Sequence, residues 1–116
     1  MKCYLLANVV VTDTDRFAEY LEKVPAIIAK YDGKYVVRAG AVHSLEGELG
    51  IQRIVMLEFP SQDAARKFYD SEEYAPLLKL RKETTRSQVA LIDAIGTNYV
   101  VPDNGDINLA IPLILT

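Results

Sequence analysis

The segment CYLLANVVVT, Cys3 to Thr12, is rich in β-branched residues and reads as a strand. Successive side chains of a strand point to opposite faces. Cys3, Leu5, Ala7, Val9 and Val11 therefore face one way, and Tyr4, Leu6 and Val10 the other. Both faces are mostly apolar, so the sheet around this strand needs cover on both sides. A second copy of the same sheet is the simplest cover for a face that helices leave open, and twofold pairs are the commonest oligomers. The pattern thus predicts a homodimer, with the C-terminal tail as the other source of cover.

The rest of the chain supplies the helices for the first face. After TDTD, with Asp13 or Thr14 as N-cap, Phe17, Leu21, Val24, Ile28 and Tyr31 recur at helical spacing. Glu19 and Lys23 suit a solvated face. Pro25 predicts a kink or break near Val24, and Gly33 a left-handed cap. Lys34 to Leu45 and Gly50 to Phe59 read as strands two and three, an antiparallel hairpin joined through EGEL. Pro60 stops the third strand, and Ser61 caps a short helix with Ala64, Ala65, Phe68 and Tyr69 inward. Ser71 opens a second helical turn carrying Tyr74, Leu77, Leu78 and Arg81, and Gln88 to Ile95 is strand four. The order βαββαβ predicts an α+β, ferredoxin-like split βαβ sandwich over residues 1–96. Residues 97–116 form an extension in which Tyr99–Val101 and Ile107–Leu109 flank the turn PDNGD. It is expected to pack on the partner subunit or along a sheet edge, where Pro112 is tolerated.

Composition removes several function classes. The chain of 116 residues carries a net charge of −3 and no basic block, which argues against nucleic-acid binding. Neither apolar end reaches the ~20 residues that span a bilayer, and a single cysteine, Cys3, suits a buried thiol in a reducing cytoplasm. There is no Walker loop and no G-x-G-x-x-G, and one histidine with one cysteine makes a poor zinc set. No cofactor and no metal are expected.

What remains is a set of polar residues inside apolar segments: Asn8, Arg38, His43, Glu58, Asp93, Tyr69, Tyr74 and Arg81. Arg38 lies within YVVRAG and shares a strand face with Gly40, which leaves room beside it. Glu58 falls nearly opposite in the hairpin. A buried arginine needs a partner. Either the pair satisfies itself, or Arg38 keeps donors for an anionic ligand. The expected geometry is a mostly buried Arg38 bonded to Glu58, with one nitrogen turned toward a pocket near Tyr69 or Tyr74.

YDGKYVVRAG, then LEG, then MLEFPSQDAARKFYDSEEYAPLLKLR resembles the family called domain of unknown function 1330, over about Cys3 to Gly96. The matching positions run from Gly33, Arg38 and Gly40, through Glu46, Gly47, Glu58, Phe59 and Pro60, to Tyr69, Ser71, Tyr74 and Arg81. Phe68 stands where the family often has tryptophan, and Ala39 where a glycine would give RGG. The resemblance implies a ferredoxin-like fold whose sheets pair as a dimeric α/β barrel. Related barrels include cofactor-independent monooxygenases, isomerases and decarboxylases, an analogy of fold alone. The expected function is a pocket between sheet and helices for a small organic acid or oxygenated aromatic. It would belong to a cofactor-independent enzyme with a tyrosine or His43 handling a proton, or to a non-catalytic ligand-binding or structural homodimer.

Overall fold

Strand β1 (Cys3–Val11) pairs antiparallel with β3 (Arg53–Phe59) on one side and with β4 (Thr85–Asp93) on the other. Strand β2 (Lys34–Ala41) adds to β3, giving the order β2-β3-β1-β4. Helix α1 (Thr14–Lys30) joins β1 to β2, while α2 (Gln62–Tyr69) and α3 (Ala75–Thr84) together join β3 to β4. This is the split βαβ arrangement of the ferredoxin-like fold, with a second crossover made of two helices. The computed structural model describes residues 1–51 and 53–95. The expected extension over 97–116, with its hairpin and its packing, lies outside the described residues. No helix among the described residues is long and apolar enough to cross a membrane.

The pleat of β1 sorts side chains as its sequence predicts. Cys3, Leu5 and Ala7 are buried in one core cluster with Val24 and Ile28 of α1, Phe68 of α2 and Leu77 of α3. Their cross-strand partners Phe59, Leu57 and Val55 share that face. Each fully buried apolar side chain of this kind contributes about 1.5–3 kcal/mol. The opposite face of the sheet carries Leu6, Ile54 and Met56, with Val10 and Ile92 exposed and no element of the described chain over them.

Helix ends follow local chemistry. Asp13 is the N-cap of α1 and accepts from Arg16 N. Ser61 Oγ accepts from Ala64 N at the start of α2. Ser71 Oγ donates to Phe68 O and accepts from Tyr74 N, tying α2 to the turn before α3. Two expectations about α1 are corrected. The helix runs unbroken through Pro25, because Val24 and Ile28, on either side of it, are both buried and hold the two halves to one core. The left-handed residue after α1 is Asp32 (φ 66°), not Gly33. Asp32 N donates to Ala29 O and Gly33 N to Ile28 O, which is the Schellman pattern with Asp32 at the left-handed position. Gly33 is needed for space instead: a Cβ there would stand 2.7 Å from the Phe59 ring and 2.8 Å from Ile28 Cγ2.

The hairpin departs further from expectation. The ladder ends at Ala41 opposite Arg53, so the connection is much longer than EGEL and holds Gly47 and Gly50 at positive φ. The ladder of β2 also slips twice, between Tyr35 and Val37 and between Arg38 and Gly40. Each slip inserts a residue and flips the facing of those beyond it. Arg38 therefore pairs with inward-facing Val55, and Gly40 with outward-facing Ile54. The two do not share a face. The residue opposite Glu58 is Lys34. Glu58 binds Lys34 Nζ at 3.0 Å and Lys2 Nζ at 3.3 Å, and accepts from the Tyr4 hydroxyl at 3.2 Å, on the open face of the sheet. The expected Arg38–Glu58 pair does not form, and Arg38 is exposed.

Two predictions follow from this packing. Gly33→Ala should cost about 1–3 kcal/mol in urea unfolding unless the Phe59 ring and Ile28 Cγ2, 2.7 and 2.8 Å from the new Cβ, withdraw without loss. An unchanged midpoint would mean that they do. The bond from Lys34, followed by the bond from Lys2, holds the Glu58 carboxyl below its usual range. A carboxyl depressed in the folded state stabilises above its unfolded pKa of about 4.3, and that contribution fades as pH falls through the lower folded value. Thermal melts of Glu58→Gln should therefore lose less stability on acidification below about pH 4 than wild type. Parallel acid curves would remove Glu58 as a contributor.

Candidate functional site

The inward face of the sheet and the three helices do not close completely. Between them lies a cavity of about 760 Å³, within the usual range for small-molecule sites. Its floor is apolar, from Leu5, Ala7, Val9, Val55 and Val89, and Phe17 and Val24 of α1 form much of its roof. Among the described residues that line it there is no carboxylate and no imidazole. Its polar side chains are tyrosines, Thr14 and three arginines.

The deepest of these cations is Arg81. It projects from the last turn of α3 and is only 4% exposed. One terminal nitrogen donates to Ser87 Oγ on β4 and the other to the Tyr69 hydroxyl at 3.2 Å. Ser87 faces inward opposite Val9, and its Oγ also lies 3.1 Å from Thr85 Oγ1, which donates to Arg81 O. Every partner is neutral. Among the described residues Arg81 belongs to no ion pair, and its Nε has no hydrogen-bond partner. Burial opposes its charge, but the oxygens of Tyr74, Tyr20 and Tyr69 more than offset this and leave its pKa above the ordinary arginine value.

Beside Arg81 the hydroxyls of Tyr20 and Tyr74 lie 2.7 Å apart. Tyr74 is 3% exposed and packs against Phe68 (4.5 Å between ring centres) and Tyr69 (5.7 Å). Burial, then the neighbouring Tyr74, pushes the Tyr20 phenol well above its usual pKa. Burial also raises Tyr35, against the opposing pull of Arg38. Both phenols therefore hold their protons near neutral pH.

Near the edge strand β2, the Arg38 guanidinium lies 4.6 Å from the centre of the Tyr35 ring. Tyr35 pairs with Leu57 and Arg38 with Val55, so the first slip in β2 puts them on one face. Arg53 also lines the cavity and donates to Ala39 O at 3.2 Å. Ala39 itself is left-handed (φ 54°), the position where the family resemblance carries glycine.

Of the residues singled out from sequence, Arg38, Tyr69, Tyr74 and Arg81 come together at this cavity. Asn8 and Glu58 are on the other face of the sheet. Asn8 donates to Gln88 Oε1 at 3.4 Å beside a shallow groove of about 180 Å³. His43 is exposed in the connection after β2. Sequence reasoning missed Tyr20, Tyr35, Arg53 and Ser87. Tyr20 was within reach, since it sits three residues after Phe17 and four before Val24 on the same stripe; Leu21, chosen in its place, is 49% exposed. Nothing local marks Ser87. No group of three or more histidine, cysteine, aspartate or glutamate side chains is poised for a metal among the described residues.

Solved structures share this architecture. A protein of unknown function from Rhodopseudomonas palustris superposes with a TM-score of 0.66 at 16% identity, covering 81% of this chain and 82% of its own. The cofactor-independent oxygenase SnoaB from Streptomyces nogalater gives 0.59 at 15% identity over 83% of this chain and 95% of its own. A dimeric ferredoxin-like protein of unknown function from Jannaschia sp. CCS1 gives 0.58 at 12% identity over 81% and 100%. At such identities these likenesses speak for the fold alone. No curated protein matches the sequence. The model of the family described as Domain of unknown function (DUF1330) matches residues 2–95, nearly the whole described fold, and the chain belongs to that family.

Proposed function

We propose that this protein is a homodimer that binds a small organic acid or oxygenated aromatic, as its anion, in the cavity between sheet and helices. The observation that carries the reading is Arg81: a buried guanidinium that cannot shed its proton, lining an apolar cavity, with only neutral partners among the described residues. An uncompensated buried charge is costly, and an incoming anion would supply the missing compensation. Tyr69 and Tyr74 would add hydrogen bonds, and the apolar floor would take a ring. Arg38 would contribute from the rim, where it is exposed.

The homodimer rests on the open sheet face, with Leu6, Met56 and exposed Val10 and Ile92. The dimeric state of the ferredoxin-like neighbour from Jannaschia supports it. A second reading, a cofactor-independent enzyme, is favoured by the likeness to SnoaB. In that case the site would stabilise a substrate that ionises readily, since the described lining has no ordinary base. Recovery of the ligand unchanged after prolonged aerobic incubation would decide for binding alone.

Two measurements test the main reading. Titration calorimetry with a naphthoate should show binding that Arg81→Met weakens about tenfold or more, the scale of lost charge-assisted hydrogen bonds. Without ligand the same variant should still fold, because methionine fills the space of the arginine stem, so that lost binding reports the lost guanidinium. A variant that binds normally would remove Arg81 as the anchor. In sedimentation, the protein should keep twice its chain mass at low micromolar concentration, and Met56→Lys should split it or make it insoluble. A stable wild-type monomer would refute the homodimer.

A further inference from the structure

We infer that the cavity has a second anion subsite, formed by Arg38 and Arg53, and that its ligand is an elongated acid with a carboxylate at each end of an apolar body. This rests on the anion-binding reading of the same cavity and extends it. Both arginines line the cavity, and neither belongs to an ion pair among the described residues. Arg53 spends one donor on Ala39 O. Arg38 lies over the Tyr35 ring, its guanidinium carbon 4.6 Å from the ring centre, a contact that needs no hydrogen-bond acceptor.

The sheet separates this pair from Arg81. Arg81 is tied to Ser87 on β4, at one edge of the order β2-β3-β1-β4, whereas Arg53 and Arg38 stand two and three strands away. Strand spacing of about 4.8 Å puts their backbone positions roughly 10 and 14 Å from that of Ser87. The floor between is Val9, Ala7 and Val55, with no polar side chain. A ligand bound at Arg81 alone would leave two arginines over an apolar trough with nothing to bind. A flat or extended dianion engages both ends.

The backbone is shaped to the same end. Tyr35 faces inward, and three residues later a regular strand would face outward. The slip between Tyr35 and Val37 turns Arg38 inward, and the next places Ala39 in the left-handed region. Bulges commonly re-aim side chains beside sites, and backbone strain clusters there.

The test compares a linear naphthalene dicarboxylate, its acids at opposite ends of the ring system, with the corresponding naphthoate by titration calorimetry. The dicarboxylate should bind about three- to tenfold tighter, the modest gain expected from exposed cations. That advantage should shrink with added salt. Arg38→Met and Arg53→Met should each reduce it, lowering dicarboxylate affinity by more than naphthoate affinity, while Arg81→Met weakens both ligands. Equal or weaker binding of the dicarboxylate, with naphthoate binding intact, would overturn the second subsite and leave the Arg81 site standing. An advantage that survives both rim substitutions would overturn it as well. If neither compound binds, the anion-binding reading falls and the second subsite with it.

Discussion

Strand β1 hydrogen-bonds on both of its edges, so its pleat sets the facing of β3 and β4 through two continuous ladders. Everything else takes its orientation from that pleat. The inward set of Cys3, Leu5 and Ala7 defines the floor on which Phe59, Phe68 and Tyr74 stack, with ring centres 4.5–5.5 Å apart along the cluster. The same alternation brings Ser87 inward, where it can receive Arg81. It also leaves an apolar outer face that no described helix reaches. Core, cavity and open face are three results of one period-two pattern.

Within that frame the cavity is unbalanced in charge. Ion pairs on this protein, such as Lys23 with Glu19 and Lys30 with Glu73, are at exposed positions, where each contributes little. The cavity instead holds cations and phenols without carboxylates among its described lining. A fold selected only for stability would place a carboxylate beside Arg81 or replace the arginine with an apolar residue. The oxygens of Tyr74, Tyr20 and Tyr69 favour the guanidinium charge against its burial.

Much of this was legible from residue order because the signals are local. The strand and helix periods, the Asp13 and Ser61 caps and the two-faced β1 each depend on a few neighbouring residues, and each appears in the structure. Helical spacing places Tyr74 and Arg81 on one side of α3, and the turn through Ser71 brings Tyr69 to the same cavity. What escaped depends on pairing across the sheet. The longer connection sets a register in which Lys34, not Arg38, lies opposite Glu58, and the first bulge in β2 turns Arg38 onto the face of Tyr35, which nothing in YVVRAG announces. Lys2 and Lys34 reach Glu58 only because β1 and β2 flank β3. Asp32 took the left-handed position from Gly33 because crowding against Phe59 already required the glycine.

The passage from α3 to β4 has no spacer: Thr84 ends the helix and Thr85 begins the strand. Thr84 Oγ1 donates to Leu80 O, Thr85 Oγ1 donates to Arg81 O, and both threonines are buried. An extra residue inserted there would have no loop to absorb it. It would turn the helix by about 100° relative to the strand or reverse the facing of β4, and either would part Arg81 from Ser87. Length variation among relatives should therefore be rare at this junction and collect in the connection between β2 and β3, where Gly47 and Gly50 have open space around them.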